Sequence, residues 1–271
     1  MHASRTACAV LVHGWPGLPS DFDAVRRRLR RAGVDSVVPD LAGLGEGFTG
    51  PILDSQATAD AHAERLVGEL DDKARGRQIV LAGYDIGSRI AQAALRLEPS
   101  RFVGAVLTPA YPGIGDRAAA PDLADRFWYQ HFNRQPLASE LIDGNPSAVR
   151  HYLEHLWEAW SGPSAPATHP HIDLLVPAYA RPGAFHAGLS WYRANRGYGT
   201  STPAVDVPVT MLWPTHDPLF DLAWADRLEE FFLDASLQVV EDCGHFVPLE
   251  APGAVANAIV DLAGAGPNNR R

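Results

Sequence analysis

The sequence predicts an α/β fold: a mostly parallel sheet flanked by helices, with a helical segment inserted between two of its strands. Three observations carry this reading. Short apolar runs alternate with helical patterns over the first 109 residues and again after residue 203. The apolar run at residues 78–82 leads into Gly83-Tyr84-Asp85-Ile86-Gly87 and then into helical spacing over 88–98, so a tight glycine-flanked turn joins strand to helix. Between residues 110 and 203 the alternation stops, and aromatic-rich helical stretches take its place.

Taken in order, residues 7–12 make the first apolar strand, which runs into His13-Gly14-Trp15-Pro16-Gly17. Ser20 is placed to cap a helix that reaches residue 32. A second strand spans 34–41, a glycine-rich loop 42–50 and an amphipathic helix 57–74, ahead of the strand at 78–82. Residues 102–107 form the next strand, ended by Thr108-Pro109. The insertion carries helical patterns at 123–133, 146–160 and 171–179, punctuated by Ser161-Gly162-Pro163 and Arg181-Pro182-Gly183. A strand at 207–213, a helix at 222–233, a strand at 236–240 and a helix at 252–263 complete the chain. The expected organisation is a core of residues 1–109 and 204–265, a helical cap of residues 110–203 and a polar tail at 266–271.

Composition narrows the partners. The chain has 271 residues, 46% of them apolar, and a formal charge of −9, which argues against nucleic acid or an anionic membrane as partner. Lys73 is the sole lysine, and the arginines at 26–28, 30 and 31 read as the solvated face of an early helix. Two cysteines, Cys8 and Cys243, make no disulfide framework. The absence of a signal peptide and of a long apolar span predicts a cytoplasmic protein, monomer or homodimer. There is no zinc-spaced Cys/His set, no H-E-x-x-H, no P-loop and no G-x-G-x-x-G after a strand, so no metal or organic cofactor is expected.

The chemistry is concentrated at strand ends. A strand–turn–helix of the form G-x-S-x-G presents a nucleophile, and here the central residue is Asp85. A serine attacking sp³ carbon would form an ether that water does not cleave at neutral pH. A carboxylate is already ionised, and its alkylation gives an ester that activated water hydrolyses at the carbonyl. Asp85 therefore suits alkylating electrophiles such as epoxides or alkyl halides, although a glycine-flanked Asp also occurs in ordinary strand–helix turns. Asp217 follows the strand at 207–213, and His245 follows the last strand in Cys243-Gly244-His245-Phe246. Loops at the C-terminal ends of parallel strands converge on one crevice, so nucleophile, acid and histidine appear in triad order. The backbone N–H groups of Trp15 and Ile86 are placed to form an oxyanion hole.

With these elements in order, the chain resembles the α/β-hydrolase superfamily over nearly its whole length, specifically the epoxide hydrolase-like branch with an aspartate nucleophile. Trp128-Tyr129-Gln130-His131-Phe132, followed by Pro136 and Glu140, resembles the segment carrying the first cap tyrosine of epoxide hydrolases. Leu189-Ser190-Trp191-Tyr192-Arg193 resembles the segment carrying the second. The resemblance implies that Tyr129 and Tyr192 donate to the epoxide oxygen and protonate the departing alkoxide. Either could instead be a packing residue at the core–cap seam. Trp128, Trp191, Phe132 and Trp157 are read as lining a pocket for a small-molecule substrate, an apolar or aromatic epoxide.

The chain also departs from related patterns. Ile86 stands where haloalkane dehalogenases commonly carry Trp. Fluoroacetate dehalogenases carry Arg there and His-Trp where Tyr129-Gln130 stands, but Arg89 matches their second arginine. Relatives have two strands before the His-Gly-x-Pro strand, and here only twelve residues precede His13. The strand at 34–41 is then an edge, expected to be covered by the N-terminal residues, a surface loop or a second subunit. The expected function is epoxide opening through a covalent Asp85 ester hydrolysed by His245-activated water. The alternatives are a dehalogenase acting on an alkyl halide or haloacid, a biosynthetic epoxide-opening cyclase, and a non-catalytic ligand-binding protein of the same fold.

Overall fold

The computed structural model describes residues 7–74, 76–197 and 202–264. Six parallel strands form one sheet: β1 (Ala7–Val12), β2 (Asp35–Val37), β3 (Gln78–Gly83), β4 (Phe102–Leu107), β5 (Val209–Pro214) and β6 (Ala235–Val240), in the spatial order β2-β1-β3-β4-β5-β6. The central strands are almost wholly apolar and buried, Ile79 to Gly83 among them, as a sheet covered on both faces requires. Helix α1 (Asp23–Arg31) packs with α11 (Pro252–Gly264), and α2 (Ala59–Lys73) packs with α3 (Ile86–Leu97).

The chain reverses its direction of travel across the sheet between β1 and β3. Strand β2 lies on one side of β1 and β3 on the other, and the register pairs Val12 with Gly83 and Gly83 with Leu107. Segments that leave β1 and β3 therefore diverge at a switch point, where open α/β sheets hold their crevice. His13 to Gly17 leaves β1 there, and Asp85 leaves β3 there.

Residues between β4 and β5 hold α4 (Trp128–Phe132), α5 (Pro136–Ile142), α6 (Pro146–Trp160), α7 (Ile172–Tyr179) and α8 (Ala184–Ala194). They sit against the loops at the strand ends. Trp15 packs edge-on against Phe185 and Tyr192, and the His245 backbone N–H donates to the Trp160 carbonyl at 2.8 Å. Among the described residues no helix is long and apolar enough to cross a membrane, and Cys8 and Cys243 are both buried free thiols.

Several element boundaries differ from expectation for physical reasons. The strand expected at 34–41 contracts to Asp35–Val37, because Pro39 has no N–H to continue the ladder. Its outer side pairs with no strand among the described residues, and residues 1–6, expected as one possible cover, lie outside them. Ser20 caps nothing: a 3-10 turn over Pro19–Phe22 precedes α1, and the Asp21 carboxylate takes the Leu18 N–H at 3.1 Å. Thr58 does cap α2, accepting from the Ala61 N–H. The helix expected at 222–233 divides into a 3-10 segment, Leu222–Arg227, and α9 (Leu228–Phe231). A further short helix, α10 (Val247–Glu250), follows His245. The tail at 266–271 lies outside the described residues, as do residues 198–201 of the expected cap.

Candidate active site

Asp85 occupies a backbone conformation that its type rarely adopts. Its φ is +53° and its ψ −126°, in the region where L-residues meet their own backbone. The flanking glycines permit it. A Cβ on Gly83 would lie 2.3 Å from the Gly87 carbonyl oxygen, and one on Gly87 would lie 2.2 Å from that of Val12. Only bare backbone lets the turn press this closely onto β1. The Asp85 N–H donates to Thr108 Oγ1 at 3.1 Å, which ties the turn to the end of β4. Helix α3 begins at Ile86, so its positive end lies beside the carboxylate.

The two Asp85 oxygens have different neighbours. Oδ2 accepts the Trp15 backbone N–H at 2.8 Å. Oδ1 lies 3.4 Å from His245 Nε2. On the other side of the ring, His245 Nδ1 lies 2.9 Å from Asp217 Oδ2, and the Leu219 N–H donates to Asp217 Oδ1 at 2.8 Å. A carboxylate only accepts, so Nδ1 carries its proton toward Asp217 and Nε2 faces Asp85.

The loop bearing His245 is tied down at several points. A Cβ on Gly244 would lie 2.3 Å from the Gly162 nitrogen, so this loop and the segment after α6 touch backbone to backbone. Glu250 joins them: its Oε2 accepts the Gly162 and Gly244 N–H groups at 2.7 and 2.8 Å, and its Oε1 accepts that of Phe246 at 3.0 Å. Phe220 stacks on the imidazole with ring centroids 6.1 Å apart, and Trp160 meets it edge-on at 5.4 Å. Burial by these rings works against a charge on His245. The carboxylates of Asp217 and Asp85 outweigh it and push the imidazole up to about 10. His13 is also buried, and there burial outweighs the Gly14 carbonyl and the more distant Asp40 and Asp85, pulling the imidazole down to about 4.

A narrow cavity opens on Asp85. Tyr129, Tyr192 and Trp191 share its lining with Asp85 and Ile86. The rings of Tyr129 and Tyr192 meet at 87° with centroids 5.9 Å apart, and Trp15 lies edge-on to Tyr192 at 5.1 Å. Burial first, then the neighbouring Tyr129 and Asp85, hold the Tyr192 phenol well above its ordinary value, so it keeps its proton at neutral pH. The cavity volume is about 30 Å³, room for one or two waters.

Three expected lining residues are elsewhere. Trp128 and Phe132 stand one helical turn apart on α4, so they share a face that Tyr129, about 100° around the helix, does not. With Tyr129 turned to the cavity, Trp128 packs on Phe132, Tyr152 and His155, and Phe132 packs on Tyr152. Trp157 is buried: its indole N–H donates to the Pro166 carbonyl at 2.8 Å, and its ring packs on His169 and Phe246. The remainder of the lining is more polar than expected and includes Arg89, Gln130, Arg134 and Asn195. Among the described residues no group of three or more His, Cys, Asp or Glu is arranged to hold a metal ion.

Sequence reasoning passed over Thr108, Glu250 and Phe220 as parts of this site. Thr108 carried a usable signal, since it ends the strand next to the one that bears Asp85. Phe220 carried none, because tertiary packing brings it to His245; Glu250 lies five residues after His245, but its bond to the distant Gly162 forms only in the fold.

Residues 9–258 match the alpha/beta hydrolase family. The chain is 24% identical over 268 residues to the AB hydrolase superfamily protein YfhM of Bacillus subtilis, covering 93% of this chain and 88% of that protein. Its structure resembles that of ALR0039 from Nostoc sp PCC 7120, with a TM-score of 0.82, 24% identity and coverage of 96% and 91%. It also resembles the epoxide hydrolase CorEH, with a TM-score of 0.80, 22% identity and coverage of 96% and 92%.

Proposed function

The chain belongs to the alpha/beta hydrolase family, and on that premise we propose that it opens an epoxide through a covalent ester on Asp85. The observation that carries this reading is one cavity holding a carboxylate and two phenols, Asp85 with Tyr129 and Tyr192, with His245 directly behind the carboxylate. In this reading the residues between β4 and β5 form the cap, and the two tyrosines are its contribution to the chemistry.

Oδ2 of Asp85 is held by the Trp15 N–H, which leaves Oδ1 to attack an epoxide carbon. The carbon–oxygen bond of the ring breaks, and the oxygen takes a proton from Tyr129 or Tyr192. A phenol is a competent donor to an alkoxide far more basic than itself. The product is an alkyl ester whose carbonyl oxygen stays at the Trp15 N–H, with the Ile86 N–H as second donor. His245 takes a proton from water, and the resulting hydroxide adds to the ester carbonyl. The tetrahedral oxyanion develops at the backbone donors. Collapse breaks the bond to the alkoxide, which takes the proton held by His245 and leaves as the diol; the acid left on Asp85 gives its proton to the tyrosinate, which restores carboxylate, imidazole and phenol.

Forming the ester also prepares its own hydrolysis. Free Asp85 helps keep His245 charged, and an imidazolium is no base. Alkylation neutralises Asp85 and removes that support, so the imidazole gives up its proton more readily when a base is needed. Relatives that act as dehalogenases use a similar carboxylate, but Ile86 supplies no side-chain donor for a departing halide.

The test is a single turnover in ¹⁸O-water with enzyme in excess. The ester route puts the label in the Asp85 carboxylate and leaves the first diol unlabelled. Label found in the first diol means direct attack by water and rules the ester out. Halide release from matched haloalkanes or haloacids, in the absence of diol from epoxides, would assign a dehalogenase instead.

A further inference from the structure

A second cavity adjoins the Asp85 cavity. The two share Arg89, Ala110 and Asn195, and the second adds Arg96 and Arg196 to its wall. Its volume is about 250 Å³, far larger than the space at Asp85. Among the described residues three guanidinium groups thus line one hollow, with Arg134 as a fourth on the Asp85 side, and the single carboxylate in the second lining is that of Asp60. For a chain of formal charge −9 this is a local reversal of sign. Such a concave basic patch draws anions inward.

The arginines differ in how far they are committed. Arg89 donates to the Gly197 carbonyl at 2.9 Å and lies over the Trp191 ring at 5.5 Å. Arg134 lies 3.0 Å from His131 Nδ1. Arg96, half-buried on α3, makes no hydrogen bond or ion pair with another described residue, and neither does Arg196. Withdrawing a guanidinium from water without a counter-ion is costly, and burial, opposed in part by Asp60, lowers the proton affinity of Arg96. Asn195 is already used: its side chain bonds Ala57, Ala59 and Trp191, which fixes the wall between the cavities.

We propose that the molecule opened at Asp85 carries a carboxylate or phosphate that seats in this second cavity against Arg96 and Arg196. The proposal rests on Asp85 as the nucleophile. It resolves an electrostatic difficulty, because an anionic substrate must approach the carboxylates of Asp85 and Asp217. Arginine is the side chain suited to the task, since its planar fork bonds carboxylate and phosphate oxygens in pairs.

The experiment compares terminal epoxyalkanoates of increasing chain length with their primary amides and with the corresponding epoxyalkyl phosphates. An anion should be preferred over the amide by about tenfold or more in kcat/KM, as expected for one charge-assisted contact. The better of the two anions identifies the group. Arg196→Gln, at an exposed position, and Arg96→Gln should each reduce that preference by about tenfold. Amides that match both anions, or a preference unchanged in both variants, overturns the proposal.

Should no epoxide alkylate Asp85, the epoxide reading fails by itself. The cavity is then judged by calorimetry on Asp85→Asn protein with straight-chain alkanoates and alkanamides. Tighter binding of the alkanoate, weakened by Arg96→Gln, supports the anion site. Equal binding of the two contradicts it.

Discussion

His245 Nε2 stands 3.4 Å from Asp85 Oδ1. The same ring carries Asp217 at 2.9 Å on its other nitrogen, so the imidazole lies between two carboxylates in an apolar enclosure. The two carboxylates favour a positive charge on the ring against its burial, and in the proposed mechanism esterification of Asp85 would remove one of these two supports.

The first prediction concerns pH and stability. His245 is raised from 6.5 to about 10 by its carboxylates despite burial. Below 6.5 the histidine is charged in folded and unfolded chains alike, and the attraction contributes in full. As pH rises toward 10 the unfolded chain has lost that proton while the folded one must keep it, so the contribution fades. The unfolding free energy of the wild type relative to His245→Gln should therefore fall steadily from pH 6.5 to 10. A relative stability that grows with pH over this window contradicts the assignment.

The phenols should share one task. Tyr129→Phe and Tyr192→Phe should each slow alkylation of Asp85 by about 10–10³-fold, the range of a lost acid or transition-state donor. The double variant should fold normally and be nearly inactive toward epoxides. If it retains full epoxide activity, neither phenol protonates the ring oxygen.

The turn at Asp85 should tolerate no side chain on its glycines. Gly87→Ala drives a methyl group into the Val12 carbonyl and should cost about 1–3 kcal/mol or more in denaturant titrations. Gly68→Ala is the control: it lies on α2 with open space around it and should gain about 0.5–1 kcal/mol. Equal effects at the two positions would mean that the turn is looser than the contact distances require.

Glu250 should act as a positioning residue, since its carboxylate bonds the backbone N–H groups of Gly162, Gly244 and Phe246 that hold the His245 loop. Glu250→Gln keeps the shape but replaces one acceptor oxygen with a donor. Ester hydrolysis should slow by about 10–10²-fold, the cost of a slightly misplaced base. The alkylation rate should be preserved and KM lowered as the ester accumulates. A fall in alkylation rate alone would place Glu250 outside this role.

Much of this architecture could be read from the sequence, and the failures share a cause. Strand and helix periodicity located β1, β4 and α6 to the residue. Alternation of elements is local, and so is a glycine-flanked turn. Asp85, Asp217 and His245 were legible because parallel strands bring their following loops to one end of the sheet. Trp128, Phe132 and Trp157 were misplaced because ring size indicates burial but not direction. Once Tyr129 points to the cavity, helix geometry sends its neighbours elsewhere. Arg89 and Arg96 share a face of α3 at helical spacing, but Arg196 joins them, and Gly162 joins Glu250, only through the fold.

The central claim is that Asp85 forms the ester and His245 is required only to hydrolyse it. Intact mass spectrometry of His245→Gln protein after exposure to a panel of epoxides tests this directly. A stoichiometric mass increase equal to one epoxide, mapped to Asp85 and absent from Asp85→Ala, is the predicted result. An unmodified His245→Gln protein after incubation with an epoxide that the wild type hydrolyses would contradict it.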